Sequence, residues 1–433
     1  MKTSKFQIIV ISIFVICIIA GVAAFATYKN SNSNATLPAI TVWGTFPSTA
    51  FDQFVSTVNN SSATQMTVKY TQKDQSSFLN DFVAALARGS GPDVVLIPAD
   101  MLLPAEDKLL PIPYTAYPQA SFMSAFVDEG RIYLGTSGLM GVPFSIDPLV
   151  MYWNRDMFNA AGIAVPPKHW SDLSALVPKL TVKDANGTIS RSTTALGDFS
   201  NVDNAREILA TLFMQLGNPI TSQSATGGVT TQIRLGAKAD PTPALNFFTS
   251  FVDPTDPNYS WNHSWPDSKT AFLSGNVAVY FGFASELNGL RAKNPNLNFD
   301  VSAMPQATSG GVTADYGKLY GFSIVKASPN SAAAFTVIST LTSAASLSAL
   351  STATYLPSVR RDVIAAGSDD PYLSLFDQEA LIGRTWLDAS PDQSNQIFGN
   401  IVGALTSGQK SVAAALQDGE NQYNVALQQA VGQ

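Results

Sequence analysis

The chain predicts an α/β fold of two lobes, each a mostly parallel sheet flanked by helices, behind an N-terminal transmembrane helix. Three observations lead there. The chain has 433 residues, whereas single hydrophobic cores stop growing at about 250–300 residues. Short apolar runs alternate with stretches of helical spacing, the mark of β-α-β units. An uncharged apolar run, Ile8–Ala26, opens the chain behind Lys2 and Lys5.

That first run reaches the ~20 apolar residues needed to cross a hydrocarbon core of ~30 Å. Two positive residues before it, against Lys29 after it, place the N-terminus inside and the body outside. Ala24–Ala26 offers a small-x-small cleavage site, but the run exceeds the ~7–15 residues of a signal-peptide core, which favours a retained anchor over residues 1–27. Cleavage would make the protein secreted instead. Phe14, Val15 and Ile16 before Cys17 are not the small residues that precede a lipidated cysteine. Residues 28–38 are polar and read as a flexible tether.

"ITVW" (Ile40–Trp43) predicts a buried strand, and the next stretch a helix with Phe51, Phe54, Val55 and Val58 inward and Ser48 or Thr49 as N-cap. Met66–Tyr70 is a second strand. A helix follows with Phe78, Leu79, Phe82, Val83 and Leu86 on one face, stopped by Gly89. Asp93–Ile97 is a third strand. In such sheets ligands sit beyond the carboxyl ends of the strands, here Gly44–Phe46 and Pro98–Asp100. Farther on, "LVMYW" predicts a strand, "RDMFNAA" a helix, Gly162 its stop, and Pro166-Pro167 a break before a helix at Trp170. Tyr152, Trp153, Asn154 and Trp170 read chiefly as packing and capping residues. "NAREILATLFMQLG" predicts an amphipathic helix capped by Gly217, Ser274–Asn276 a turn, and Val277–Phe281 a strand. The stretch from Ser394 is helical, with Ile397, Ile401, Leu405, Leu416, Val425 and Leu427 inward.

Composition narrows the chemistry. Charged residues are 13% of the chain and the net charge is −7, with no basic run to meet a phosphate backbone, so nucleic acid is not a partner. Two histidines and one cysteine leave no zinc site and no recognisable nucleophile motif. "DPTDPN" at Asp253–Asn258 lacks the spacing of a calcium loop and reads as a turn. No catalytic residue, metal ligand or cofactor is assigned.

Four stretches, in order, resemble one family: "FLNDFVAALARGSGPDVVLI", "GVPFSIDPLVMYWNRDMFNAAGIAVPPKHWSDL", "AFLSGNVAVYFG", and "YGFSIVKASPNSAAAFTVISTLTS" with "LPSVRRDV". The chain resembles the extracellular solute-binding proteins of ABC importers, in their sugar-binding, maltose-binding-protein-like family. His169 stands where that family usually has Thr, Val279 where it has Met, and the lipidation motif is missing. The resemblance implies a Venus-flytrap (periplasmic-binding-protein) clamp. Lobe 1 would be residues 39–146 plus about 288–352, and lobe 2 residues 147–287 plus about 353–433. Crossings would fall near Phe144–Pro148, Leu287–Tyr316 and Ser351–Pro357. It implies a monomer on the extracytoplasmic face that captures a mono- or oligosaccharide and delivers it to permease subunits. A surface sensor or adhesin with the same clamp, or a glycan-cleaving enzyme, are the alternatives.

Sugar recognition needs aromatic rings for C–H faces and planar polar groups for hydroxyls. Trp43, Thr45, Phe46 and Asp100 follow strand exits, although Trp43 also suits strand core and Asp100 also suits a helix start. Asp147 sits at a lobe crossing and, by resemblance, faces the cleft. Phe283 and Ser285, with Glu286, follow the strand of "AVYFG". Tyr316, Gly317, Tyr355 and Trp386 complete the set of ligand-binding candidates. Trp261 and Trp265 are further stacking candidates on a loop.

Overall fold

The computed structural model describes residues 37–61, 65–224, 226–234, 239–307 and 311–431. The predicted transmembrane segment, Cys17 and most of the tether lie outside these residues. Among the described residues no single helix is long and apolar enough to cross a membrane.

Eight main strands carry the architecture: β1 (Ile40–Gly44), β2 (Val68–Gln72), β3 (Val94–Pro98), β4 (Val142–Asn154), β5 (Ile189–Thr194), β6 (Val277–Phe283), β7 (Phe299–Ser302) and β8 (Asp315–Val325). Their order is β2-β1-β3-β8-β4-β6-β5, with β7 also on β4. The first half arises from local pattern. β1 pairs in parallel with β2 and β3, and the helix Ser48–Ser61 between them buries Phe51, Phe54, Val55 and Val58, the four predicted positions. β3 is buried at every residue, as a strand covered on both faces must be. In the helix Phe78–Ala87 the inward face is Phe78, Phe82 and Ala85, and Val83 is 44% exposed. The i, i+4, i+7 row won over the neighbouring one because Phe78 and Phe82 fill more of the core.

β4 and β8 are the long strands that tie the halves together. β4 pairs with β8 over Val142–Pro148 and with β6 over Leu149–Trp153. In the second half the expected mostly parallel sheet is not what forms. β4 is antiparallel to β6, β7 and β8, whereas β5 runs parallel to β6 and the short pair Gly383–Arg384 runs parallel to the start of β8. Parallel pairing needs a crossover connection, and between β5 and β6 the helix Ala205–Gln215 and its successors provide one. β4 enters this half straight from the first, without such a crossover. The half is mixed α/β.

At the end of β4 the chain turns sharply. Asn154 caps the helix Arg155–Ala160, its Oδ1 accepting from the Met157 N–H at 3.0 Å. Tyr152 is buried and donates to the Phe283 carbonyl at 2.7 Å, and Trp153 packs on Phe158 with ring centroids 5.0 Å apart. Trp170 donates through Nε1 to Gln215 at 2.7 Å. Gly89, Gly162, Gly217 and Gly275 all have positive φ at the predicted stops and turns. The helices Pro391–Thr406 and Val412–Val431 pack on each other; Ile397, Ile401, Leu416 and Leu427 are buried, whereas Val425 is 53% exposed.

Candidate functional site

The ends of β1, β3 and β6, the joint of β4 with β8, and the segment before the helix Pro391–Thr406 meet where the two halves adjoin. At the β1 exit a Cβ on Gly44 would lie 2.5 Å from the Leu96 carbonyl oxygen, so only glycine allows β1 this close to β3. The Thr45 N–H then donates to Leu96 O at 3.2 Å. Phe46 turns inward, edge-on to Phe144 and to Tyr320, both at 5.4 Å. Trp43 is half-buried with Lys73 Nζ 4.1 Å from its ring centre.

Phe46, Asp147 and Ser285 line one cavity of about 290 Å³ together with Gln53, Tyr320 and Leu356. Asp147 Oδ1 accepts from the Ser285 N–H at 3.0 Å. Burial pushes its carboxyl up to about 6, against the pull of Ser285 and of Lys318, its register partner on β8. Lys318 in turn lies 4.9 Å from the ring centre of Phe283.

Asp100 is 1% exposed and receives a hydrogen bond from Arg206 Nη2 at 3.0 Å. Arg206, on the helix Ala205–Gln215, also donates to Asp388 Oδ2 at 3.3 Å, to Glu207 Oε1 at 2.8 Å and to Ser394 Oγ at 3.0 Å. Its guanidinium lies 5.2 Å from the ring centre of Trp386. Burial works against the charge, yet Glu207, Tyr316, Asp100 and Asp388 together hold its pKa well above the ordinary arginine value. Burial raises Asp388 to about 6 even though Arg206, Ser394 and Tyr423 all favour its ionised form. Trp386 donates through Nε1 to the Tyr423 hydroxyl at 2.8 Å and meets Tyr316 edge-on at 5.6 Å, and Tyr316 meets Phe283 at 6.1 Å.

Toward the first cavity stands Tyr320, whose hydroxyl is raised by burial and by the charges of Asp147 and Asp100. Toward a second cavity of about 280 Å³ stand Glu129, Arg131, Asn218, Arg384 and Thr385. Glu129 there accepts from the Thr385 N–H at 2.8 Å, and burial pushes its carboxyl up to about 7.

The remaining candidates lie elsewhere. Gly317 is packed between strands, a Cβ there meeting Ile146 Cδ1 at 2.7 Å. Tyr355 caps the helix Ala344–Thr354 at φ 59° beside Asp370, which raises its hydroxyl by a hydrogen bond. Trp261 is fully buried, donates to Asn201 at 2.8 Å and packs on Trp265. Arg206, Tyr320, Asp388 and Tyr423 were not among the sequence candidates. An arginine in the first turn of a largely apolar helix was the readable sign of the first, and an acid bracketed by Leu387 and Ala389 that of Asp388.

The arrangement supplies rings, planar polar groups and enclosed space, the means of holding a small polar guest. Solved structures share the fold. The cyclic alpha-maltosyl-1,6-maltose binding protein of Arthrobacter globiformis matches with TM-score 0.71 and 18% identity, covering 91% of this chain and 100% of that one. The GacH receptor of Streptomyces glaucescens matches with TM-score 0.69 and 17% identity, covering 90% and 98%. A curated relative, a binding protein of Brucella abortus (strain 2308), is 22% identical over 249 residues, and the match spans about half of each chain, 54% in both cases. The family model described as bacterial extracellular solute-binding protein matches residues 50–373, the span that holds β4, β6, β8 and most of the site, and the chain belongs to that family.

Proposed function

We propose that the chain is a binding protein, not an enzyme, that captures a mono- or oligosaccharide in a cleft between two lobes and delivers it to the permease subunits of an ABC transporter. It acts as a monomer on the extracytoplasmic face, held by the Ile8–Ala26 segment. Its lobes are residues 39–146 with about 288–352, and 147–287 with about 353–433. The observation that carries this reading is the convergence of Phe46, Asp147 and Ser285 on one cavity, beside the ring cluster Phe283–Tyr316–Trp386. Two structures of the same fold are named for acarbose and for cyclic alpha-maltosyl-1,6-maltose, which supports the carbohydrate class. Closure would be favoured only by contacts a guest makes better in the closed form.

Titration with gluco- and manno-oligosaccharides, followed by tryptophan fluorescence and by melting temperature, tests it. At least one saccharide is expected to raise Tm and shift the emission. A shift with peptides or polyamines and none with any saccharide would overturn the substrate class.

A further inference from the structure

The helices Ala344–Thr354, Arg361–Ala366 and Pro371–Ile382 border a cavity of about 340 Å³ that shares no lining residue with the cavity of Phe46 and Asp147. Asp377 lines it and is 7% exposed. Its Oδ1 accepts from the Ser358 N–H at 3.3 Å. Burial pushes the Asp377 carboxyl up to about 6, and the Ser358 bond opposes the rise with no cation helping. Among the described residues no lysine, arginine or histidine lines the cavity. The other acid there, Asp362, is already engaged: Arg360 donates to its two oxygens at 2.9 and 2.6 Å. Buried charges are paired as a rule. Asp377 departs from that rule on the wall of an open space. The rest of the polar wall is hydroxyls, from Ser348, Ser351, Thr352 and Ser368, and Val363 and Leu373 add apolar surface.

We propose that this cavity is a second binding site, for a small primary ammonium compound whose charged head is held by Asp377. An ionised carboxylate only accepts, so the guest must bring donors, and a positive charge supplies the missing partner. A primary ammonium carries both in one group, and its bond to a carboxylate is about twice as strong as a neutral hydrogen bond. The hydroxyls take the N–H groups that Asp377 leaves over. A quaternary ammonium has no N–H, and among the described residues no aromatic ring lines the cavity to face one. A calcium ion takes about 6–8 oxygen ligands, and among the described residues no three metal-ligating side chains stand together. The space is near the lower end, about 300 Å³, for small-molecule sites, which fits a short chain behind the ammonium.

The test uses the full chain near pH 7.5 at constant ionic strength, with isothermal titration calorimetry and melting temperature as readouts. The probes are propylammonium and hydroxyethylammonium, compared with tetramethylammonium, propionate and calcium chloride. Each primary ammonium is expected to bind once per chain and to raise Tm, and the comparison compounds are not. Asp377→Asn keeps an acceptor for the Ser358 N–H and removes the charge, so it should weaken ammonium binding at least about tenfold. Ala366→Phe, at an exposed position on the cavity wall, should weaken it as well by filling the space, and it serves if circular dichroism shows that Asp377→Asn does not fold. Binding of neither primary ammonium would overturn the site. Tetramethylammonium or calcium binding equally well would overturn its chemistry, and ammonium binding that survives both variants would overturn its location.

Discussion

Replacing Arg206 by methionine removes one charge and keeps most of the apolar stem. Asp100 and Asp388, 1% and 0% exposed, would then stay buried without their cation. Breaking a buried ion pair from one side costs about 3–5 kcal/mol, because the charge left behind is not resolvated. With an unfolding entropy of ~2.1 cal/mol/K per residue, a unit of roughly 400 residues converts that cost into a Tm lower by about 4–6 °C. The deficit depends on pH in a defined direction. Asp388 is already raised to about 6 by burial, with Arg206 opposing the rise. Without Arg206 it rises further, so near pH 5 the folded variant takes up a proton that the unfolded chain, with its ordinary carboxyl, does not. The deficit should shrink as pH falls from about 7.5 to about 5. Asp388→Asn in the Arg206→Met background should recover part of the loss, and the double-mutant cycle measures the coupling. Circular-dichroism melts at both pH values suffice. A variant that melts within about 1 °C of the wild type at pH 7.5, or whose deficit grows on acidification, refutes the reasoning.

Three further outcomes follow from the same contacts. Gly317→Ala places a methyl 2.7 Å from Ile146 Cδ1 and should cost about 1–3 kcal/mol in a denaturant melt; Ile146→Val on the same background should return part of it if the clash is the cause. Phe46→Ala removes the ring that meets Phe144 and Tyr320 and should cost about 3 kcal/mol, the low end for a buried phenylalanine because one side of the ring faces a cavity; an unchanged urea midpoint would argue against the packing. In the wild type, Glu129 at about 7 and Asp147 and Asp388 at about 6 lie above their ordinary carboxyl values through burial. The native state therefore binds protons that the unfolded state releases, so stability should rise as pH falls from about 7.5 to about 5 and decline as pH climbs back through these values. A melting temperature that increases steadily up to pH 8 would contradict the burial of these groups.

Much of this molecule was legible as periodicity. The helix Ser48–Ser61 buries the four residues its spacing marks, and Gly89, Gly162, Gly217 and Gly275 stop or turn the chain at positive φ where predicted. Local sterics and the 3.6 and 2.0 periods decide such features, and both are written in consecutive residues. The strand exits and the lobe crossing were legible too, and Phe46, Asp147 and Ser285, read from them, line one cavity. Three things came only from the assembled chain. Val83 and Val425 face solvent although their spacing fits an inward stripe, because a helix settles its rotation against the neighbour it packs on. The second half of the sheet is mixed, because β4 arrives from the first half without a crossover. The meeting of Asp100, Arg206 and Asp388 joins residues more than a hundred positions apart. A charge's burial and partners are properties of its surroundings in space, and no window along the chain contains them.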